Sequence, residues 1–143
     1  MSEANRLHGI WRLVSFEEEQ VDGRWAPALD EGTHGYISYW PQGRMQVVMG
    51  ATDRPRLRGG WNAVPAEQEA QCLDRMVAYP GTYSIEGERV LHHVDTCWIP
   101  NWEKRDLVRR MSFPAEHQLL LETVPDTTPR PRLAQRVLWE RVQ

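Results

Sequence analysis

Apolar residues recur at every second position along much of this chain, the spacing of strands that bury one face. Eight segments carry the pattern: 9–18, 35–40, 44–49, 82–85, 89–98, 104–113, 118–123 and 133–142. β-Branched and aromatic residues fill them, as strands prefer. In 44–49 the apolar face is Met45, Val47 and Met49. In 9–18 both faces carry apolar groups: Trp11 and Leu13 with Ser15 on one, Ile10, Val14 and Phe16 with Arg12 on the other. Turn signals at Asp22-Gly23, Pro41-Gln42-Gly43 and Glu86-Gly87 punctuate the segments. One helix is predicted, over 65–79. Pro65 suits its first position, Glu67 and Glu69 its positive end, and Arg75 its negative end. Ala66, Ala70, Leu73 and Val77 make its apolar stripe, and Pro80-Gly81 stops it. Residues 1–7 read as a frayed leader or a short helical lid. Residues 24–33 read as irregular, 51–64 as a long rim loop, and 125–131 as a proline-rich loop.

Short strands joined by hairpin turns imply an antiparallel meander. Eight of them can close into a barrel, which removes exposed edges. The expected fold class is therefore mainly β: an eight-stranded antiparallel barrel, with one α-helix flanking or closing an end. A barrel of that size is either filled by side chains or holds one small ligand.

Composition narrows the function. A chain of 143 residues is one domain by size, 1–143, and large enough for a real core. A net charge of −3 argues against a nucleic-acid partner, which needs a basic stripe. Two cysteines, Cys72 and Cys97, read as reduced thiols in a cytoplasmic protein. No apolar run suits a signal peptide or a membrane span. Seven tryptophans favour a bulky core or a pocket that grips flat ligands.

Candidate chemistry concentrates in residues 92–102, HHVDTCWIPNW. His92, Val94, Thr96 and Trp98 share one face, and His93, Asp95 and Cys97 the other. The first set is mostly apolar and is assigned inward, so His92 becomes a candidate general acid/base. A one-residue slip would instead turn His93 and Asp95 inward as an imidazole–carboxylate pair. Arg109 shares a face with Leu107, Met111 and Phe113. A guanidinium in an apolar wall needs a partner. That partner is either a ligand carboxylate, phenolate or enolate, or an internal acid such as Glu122 or Asp95. Tyr39, on the Ile37 face, can donate to a ligand oxygen. Trp98, Trp102, Met45 and Met49 are candidate cavity-lining residues, and Asn101 either shapes the corner or touches the ligand. No metal is expected: adjacent histidines diverge on a strand, and no Cys or His pair has zinc spacing. No cofactor is expected either, because phosphate-binding and dinucleotide motifs are missing from the sequence.

The chain resembles the lipocalin-like domain family, relatives of the calycin barrels. The resemblance rests on residues 9–16 (GIWRLVSF), Gly43-Arg44-Met45, residues 79–83 (YPGTY), His92-His93-Val94, Pro100-Asn101-Trp102, Arg109-Arg110 and Trp139-Glu140-Arg141. It implies a closed or nearly closed barrel with an internal cavity. It also implies that Trp11 packs across the closed end, with Arg141 over its ring. Related barrels serve as carriers and as cofactor-independent isomerases or cyclases. Three functions follow as expectations. The leading one is binding of a small, largely apolar ligand, aromatic or polyketide-like. The second is a cofactor-independent isomerase, cyclase or lyase with His92 as acid/base and Arg109 and Tyr39 as oxyanion stabilisers. The third is a filled barrel that forms a homodimer.

Overall fold

β1 (Gly9–Glu19) is the strand on which the sheet closes. The computed structural model describes residues 2–60, 62–124 and 133–143. From β1 the sheet runs antiparallel through β3 (His34–Tyr39), β4 (Arg44–Gly50), β5 (Met76–Glu86) and β6 (Arg89–Val94). It continues through β7 (Asp106–Ser112), β8 (Gln118–Thr123) and β9 (Gln135–Arg141). β9 then pairs back onto β1. The result is a closed eight-stranded antiparallel barrel with one extra strand, β2 (Trp25–Pro27), against Glu17–Glu19 of β1. Closure gives every barrel strand two neighbours and so leaves no long free edge.

Three departures from the sequence pattern have physical causes. Leu13 pairs with Trp139 and Ser15 with Leu138, so Val14 is an extra residue on β1. This β-bulge resets the alternation. Trp11 and Leu13 point inward before it and Phe16 points inward after it. The helix expected over 65–79 is shorter: α2 spans Ala66–Asp74, and Met76 to Tyr79 open β5 instead. Their pairing with Val47–Gly50 of β4 satisfies the backbone in a sheet, and tertiary pairing outweighs the helical stripe. The strand expected over 89–98 ends at Val94, so Thr96 and Trp98 lie beyond the sheet. The 125–131 loop lies outside the described residues.

One barrel end is sealed. α1 (Glu3–Leu7) tucks the buried Leu7 beneath it, and the Trp11 indole N–H donates to the Leu7 carbonyl at 2.9 Å. The Arg141 guanidinium lies 4.2 Å from the centre of the Trp11 ring and donates to the carbonyls of Arg6 and His8. This is the cation–π pair that the family resemblance implies. Leu7, Trp11, Tyr39, Met45, Met111 and Leu119 fill this end with fully or nearly fully buried side chains.

The opposite end carries α2, which has no buried residue, and the 3₁₀ turn Pro100–Trp102. Arg75, just past α2, donates to Asp53 at 2.6 and 2.9 Å and to the Leu29 carbonyl at 2.9 Å. Asp30 accepts from the Thr52 amide (2.8 Å), the Thr52 hydroxyl (2.6 Å) and the Thr33 hydroxyl (2.9 Å). These bonds hold the Asp30 carboxyl down at about 2. The rim segments are thus tied to one another rather than buried. Among the described residues, no helix is long and apolar enough to cross a membrane.

Gly81 of β5 packs directly against the backbone of β6. A Cβ there would lie 2.1 Å from the His93 carbonyl oxygen. Gly81→Ala is expected to lower stability by about 1–3 kcal/mol through overpacking, read as a lower urea midpoint with an unchanged slope.

Candidate functional site

The inward faces of the strands do not meet in the rim half of the barrel. A cavity of about 330 Å³ remains there, at the small end of the range for ligand pockets. Phe16, Ile37, Val47, Met49, Leu121 and Val137 supply apolar wall. Leu73 and Asp74 of α2 and Trp98, Ile99 and Trp102 border the mouth. The two mouth tryptophans stack edge-to-face, with centroids 5.1 Å apart.

The polar end of the cavity is built by three strands. β6 sends His92 inward, where it is 1% exposed. Its Nε2 lies 2.6 Å from the Tyr39 hydroxyl of β3, and its Nδ1 lies 2.7 Å from the Tyr79 hydroxyl of β5. Both ring nitrogens are therefore engaged by phenols. Burial lowers the His92 pKa to about 3, and the charges of Arg109 and His93 push the same way. The imidazole is accordingly neutral at pH 7. Burial raises Tyr79 to about 12, opposed by the Arg109 charge, and raises Tyr39 well above its ordinary value. Arg109, on β7, lines the cavity and also donates to the Val108 carbonyl at 2.9 Å. Its charge acts on His92, Tyr79 and Tyr39 alike, so one cation serves the whole cluster. Trp139 lines the cavity too. Its buried indole N–H has no hydrogen-bond partner among the described residues.

Of the side chains picked from the sequence, His92, Arg109, Trp98, Trp102 and Met49 line the cavity. Tyr39 and Met45 do not: both are buried toward the sealed end, and Tyr39 reaches the site through His92. Asn101 is exposed in the 3₁₀ turn. His93 faces outward, with Nδ1 2.7 Å from Asp106 and Nε2 2.9 Å from the Ser84 hydroxyl. Asp95 lies 3.8 Å from Arg44, and Glu122 bonds Arg110 at 3.1 Å. Among the described residues, no cluster of three His, Cys, Asp or Glu side chains could hold a metal ion.

A model of the lipocalin-like domain matches residues 8–142, nearly the whole chain. The chain belongs to the lipocalin-like domain family. Among solved structures, this lipocalin-like barrel is similar to a lipocalin-like protein from Bacteroides uniformis ATCC 8492, at 14% identity and a TM-score of 0.50. The match covers 96% of this chain and 99% of that one, and at such identity it shows the fold alone. It is also similar to a de novo fluorescence-activating β-barrel, at 11% identity, TM-score 0.48 and 99% coverage of both chains. A third similar structure is a barrel, EF1p2_mFAP2b, bound to DFHBI, at 12% identity, TM-score 0.46 and coverage of 97% and 96%. A search of curated proteins returned no match.

Two residues of the lipocalin-like cavity escaped the sequence reading. Tyr79 was hidden by the helix expected over its segment. The β-branched Val77 and the aromatic Tyr79 just before Pro80 are the signal that would have marked a strand. Trp139 lies on the last strand, and its inward direction follows from alternation with Val137, buried on the same face.

Proposed function

We propose that the barrel binds a small, largely apolar ligand, aromatic or polyketide-like, with its one polar group against Arg109 and Tyr79. The observation that carries this reading is the hollow rim half, with apolar walls running down to a cluster of hydrogen-bond donors. Such walls supply contact area, and a few convergent polar groups supply orientation. Trp98 and Trp102 offer flat surfaces at the entrance. Tyr39 acts at one remove, by holding His92, and Met45 packs beneath the cluster. Asn101 shapes the corner.

The catalytic reading ranks second. His92 has both nitrogens occupied and is neutral at pH 7, which weakens it as a direct proton donor or base. A cofactor-independent isomerase or cyclase would have to pass its proton through Tyr79.

The test is a fluorescence titration with a panel of flat aromatic compounds, with and without a hydroxyl. Saturable quenching is expected, because Trp98, Trp102 and Trp139 all border the cavity. Val47→Phe, which fills the hollow from β4, should weaken binding at least about tenfold, or about 1.4 kcal/mol. Flat titrations across the panel would leave the hollow without a ligand role.

A further inference from the structure

We infer that Ser84, His93 and Asp106, on the outer face of the barrel, form an acyl-transfer site that hydrolyses small activated esters and thioesters through an acyl-Ser84 intermediate. The site lies outside the cavity and stands apart from the ligand-binding reading.

Three neighbouring strands assemble it. Asp106 of β7 stands directly opposite His93 of β6, and Thr82 of β5 stands opposite His93 on the other side. Ser84 is the next outward residue of β5, diagonal to His93 and within reach of a long side chain. The imidazole spans that diagonal. Its Nδ1 lies 2.7 Å from Asp106 Oδ1, and its Nε2 lies 2.9 Å from the Ser84 hydroxyl. Hydroxyl, imidazole and carboxylate are thus linked in the order that a serine nucleophile requires.

The adjacent histidines differ in what their partners allow. His92 is buried between two phenols, each able to donate or accept. His93 has a carboxylate on one nitrogen, and a carboxylate only accepts. In the neutral ring Nδ1 therefore carries the proton and donates to Asp106. Nε2 is left bare, and the Ser84 hydroxyl donates to it. That is the tautomer in which the ring can take the hydroxyl proton.

The surroundings define the substrate. Ser84 and Asp106 are exposed and His93 is half-buried, so an acyl donor reaches the hydroxyl from solvent. Leu91 stands opposite Ser84, and Val108 opposite Leu91. They form a short apolar strip on which a small acyl group can rest. On this exposed face water solvates the developing oxyanion, a weaker aid than a buried set of donors. The site therefore suits acyl carbons with good leaving groups, which are those of aryl esters and thioesters.

Ser84 Oγ attacks the acyl carbon and its proton passes to His93 Nε2, while Asp106 holds the ring through Nδ1–H. The bond to the leaving oxygen or sulfur breaks, and that atom takes the proton from Nε2. Water then attacks the acyl-serine and gives a proton to Nε2. Collapse releases the carboxylic acid, and the proton returns to Ser84 Oγ. The balance is one ester or thioester and one water in, one acid and one alcohol or thiol out.

The probe is para-nitrophenyl acetate with the full chain. Release of para-nitrophenol is followed by absorbance, and acid-quenched samples are digested with trypsin for mass spectrometry. Ser84 falls in the tryptic peptide 76–89, where fragmentation separates it from Thr82 and Tyr83. An acetyl group is expected on Ser84. Ser84→Ala and His93→Gln should each remove it and lower the rate at least about tenfold, below the full range for base catalysis because the site is open to water. Asp106 is a positioning residue: Asp106→Asn should slow turnover about tenfold, and Asp106→Glu should recover most of it. Matching urea midpoints would show that these variants remain folded. His117→Gln, at an exposed histidine elsewhere, should leave rate and adduct unchanged. Acetyl found only on other residues, or a rate untouched by Ser84→Ala, overturns the inference and leaves the trio as a cross-strand hydrogen-bond chain. Absence of turnover above buffer overturns it as well.

Discussion

Acidification from pH 7 to about pH 4 should cost the fold about 3 kcal/mol through His92 alone. His92 is buried with a pKa of about 3, against 6.5 for an unperturbed imidazole, mainly because burial disfavours the charged ring. The unfolded chain therefore binds a proton that the folded chain refuses. The folded pKa is the depressed one, so the stabilising contribution is complete above about pH 6.5. It falls steadily as the pH drops and is exhausted near the folded value of about 3. Each pH unit in that window is worth about 1.4 kcal/mol. Asp30 acts in the same direction, but only below its ordinary 3.8, so the range from about 4 to 6.5 isolates the histidine. Urea unfolding at a series of pH values measures the slope. His92→Gln, which does not titrate, should be less stable at pH 7 yet nearly flat over this range. An equally steep slope in the variant would mean that the acid sensitivity resides elsewhere. On the alkaline side the sign reverses. Tyr79 has a raised pKa of about 12, so its contribution is intact below about pH 10 and is lost as the pH climbs through 12.

The barrel was legible because alternation is a local signal that survives without tertiary context. Met45, Val47 and Met49 show it cleanly, and all three are buried. Where alternation fails, the cause is a contact distant in sequence. The bulge at Val14 exists because β9 runs one residue short against β1, and nothing within residues 9–18 announces that pairing. The helix was overextended because Ala70, Leu73 and Val77 fit a helical stripe. Val77 instead pairs with Met49 of β4, a partner 77 − 49 = 28 positions earlier in the chain and outside its own neighbourhood. That one boundary hid Tyr79, and with it half of the hydrogen bonding on His92. Periodicity assigned the inward direction of His92 and Tyr39 but not their mutual contact. A face says which way a side chain points, whereas register and barrel curvature decide what it meets.

Trp11→Ala should remove about 3–5 kcal/mol of stability, the range for deleting a buried tryptophan. For a domain with about 5–15 kcal/mol in total, that approaches the limit of folding. Trp11 is 0% exposed and carries three roles at the sealed end. Its ring fills the space between β1 and Phe113, at a centroid distance of 6.4 Å. Its N–H satisfies the last carbonyl of α1. Its face receives Arg141, whose guanidinium also holds two carbonyls at the α1 end. Trp11→Phe separates these roles. It keeps a ring for Arg141 but orphans the Leu7 carbonyl, so its cost should be nearer about 1–2 kcal/mol. Neither change touches the cavity wall, which lies in the opposite half of the barrel. Both variants, at temperatures where they remain folded, should quench with the same aromatic compounds at dissociation constants within about twofold of the parent, less than about 0.5 kcal/mol. A Trp11→Ala protein that loses under about 1 kcal/mol would contradict the sealed end. One that unfolds as expected but binds tenfold more weakly while folded would show that the two halves of the barrel are coupled, and that the hollow depends on the plug beneath it.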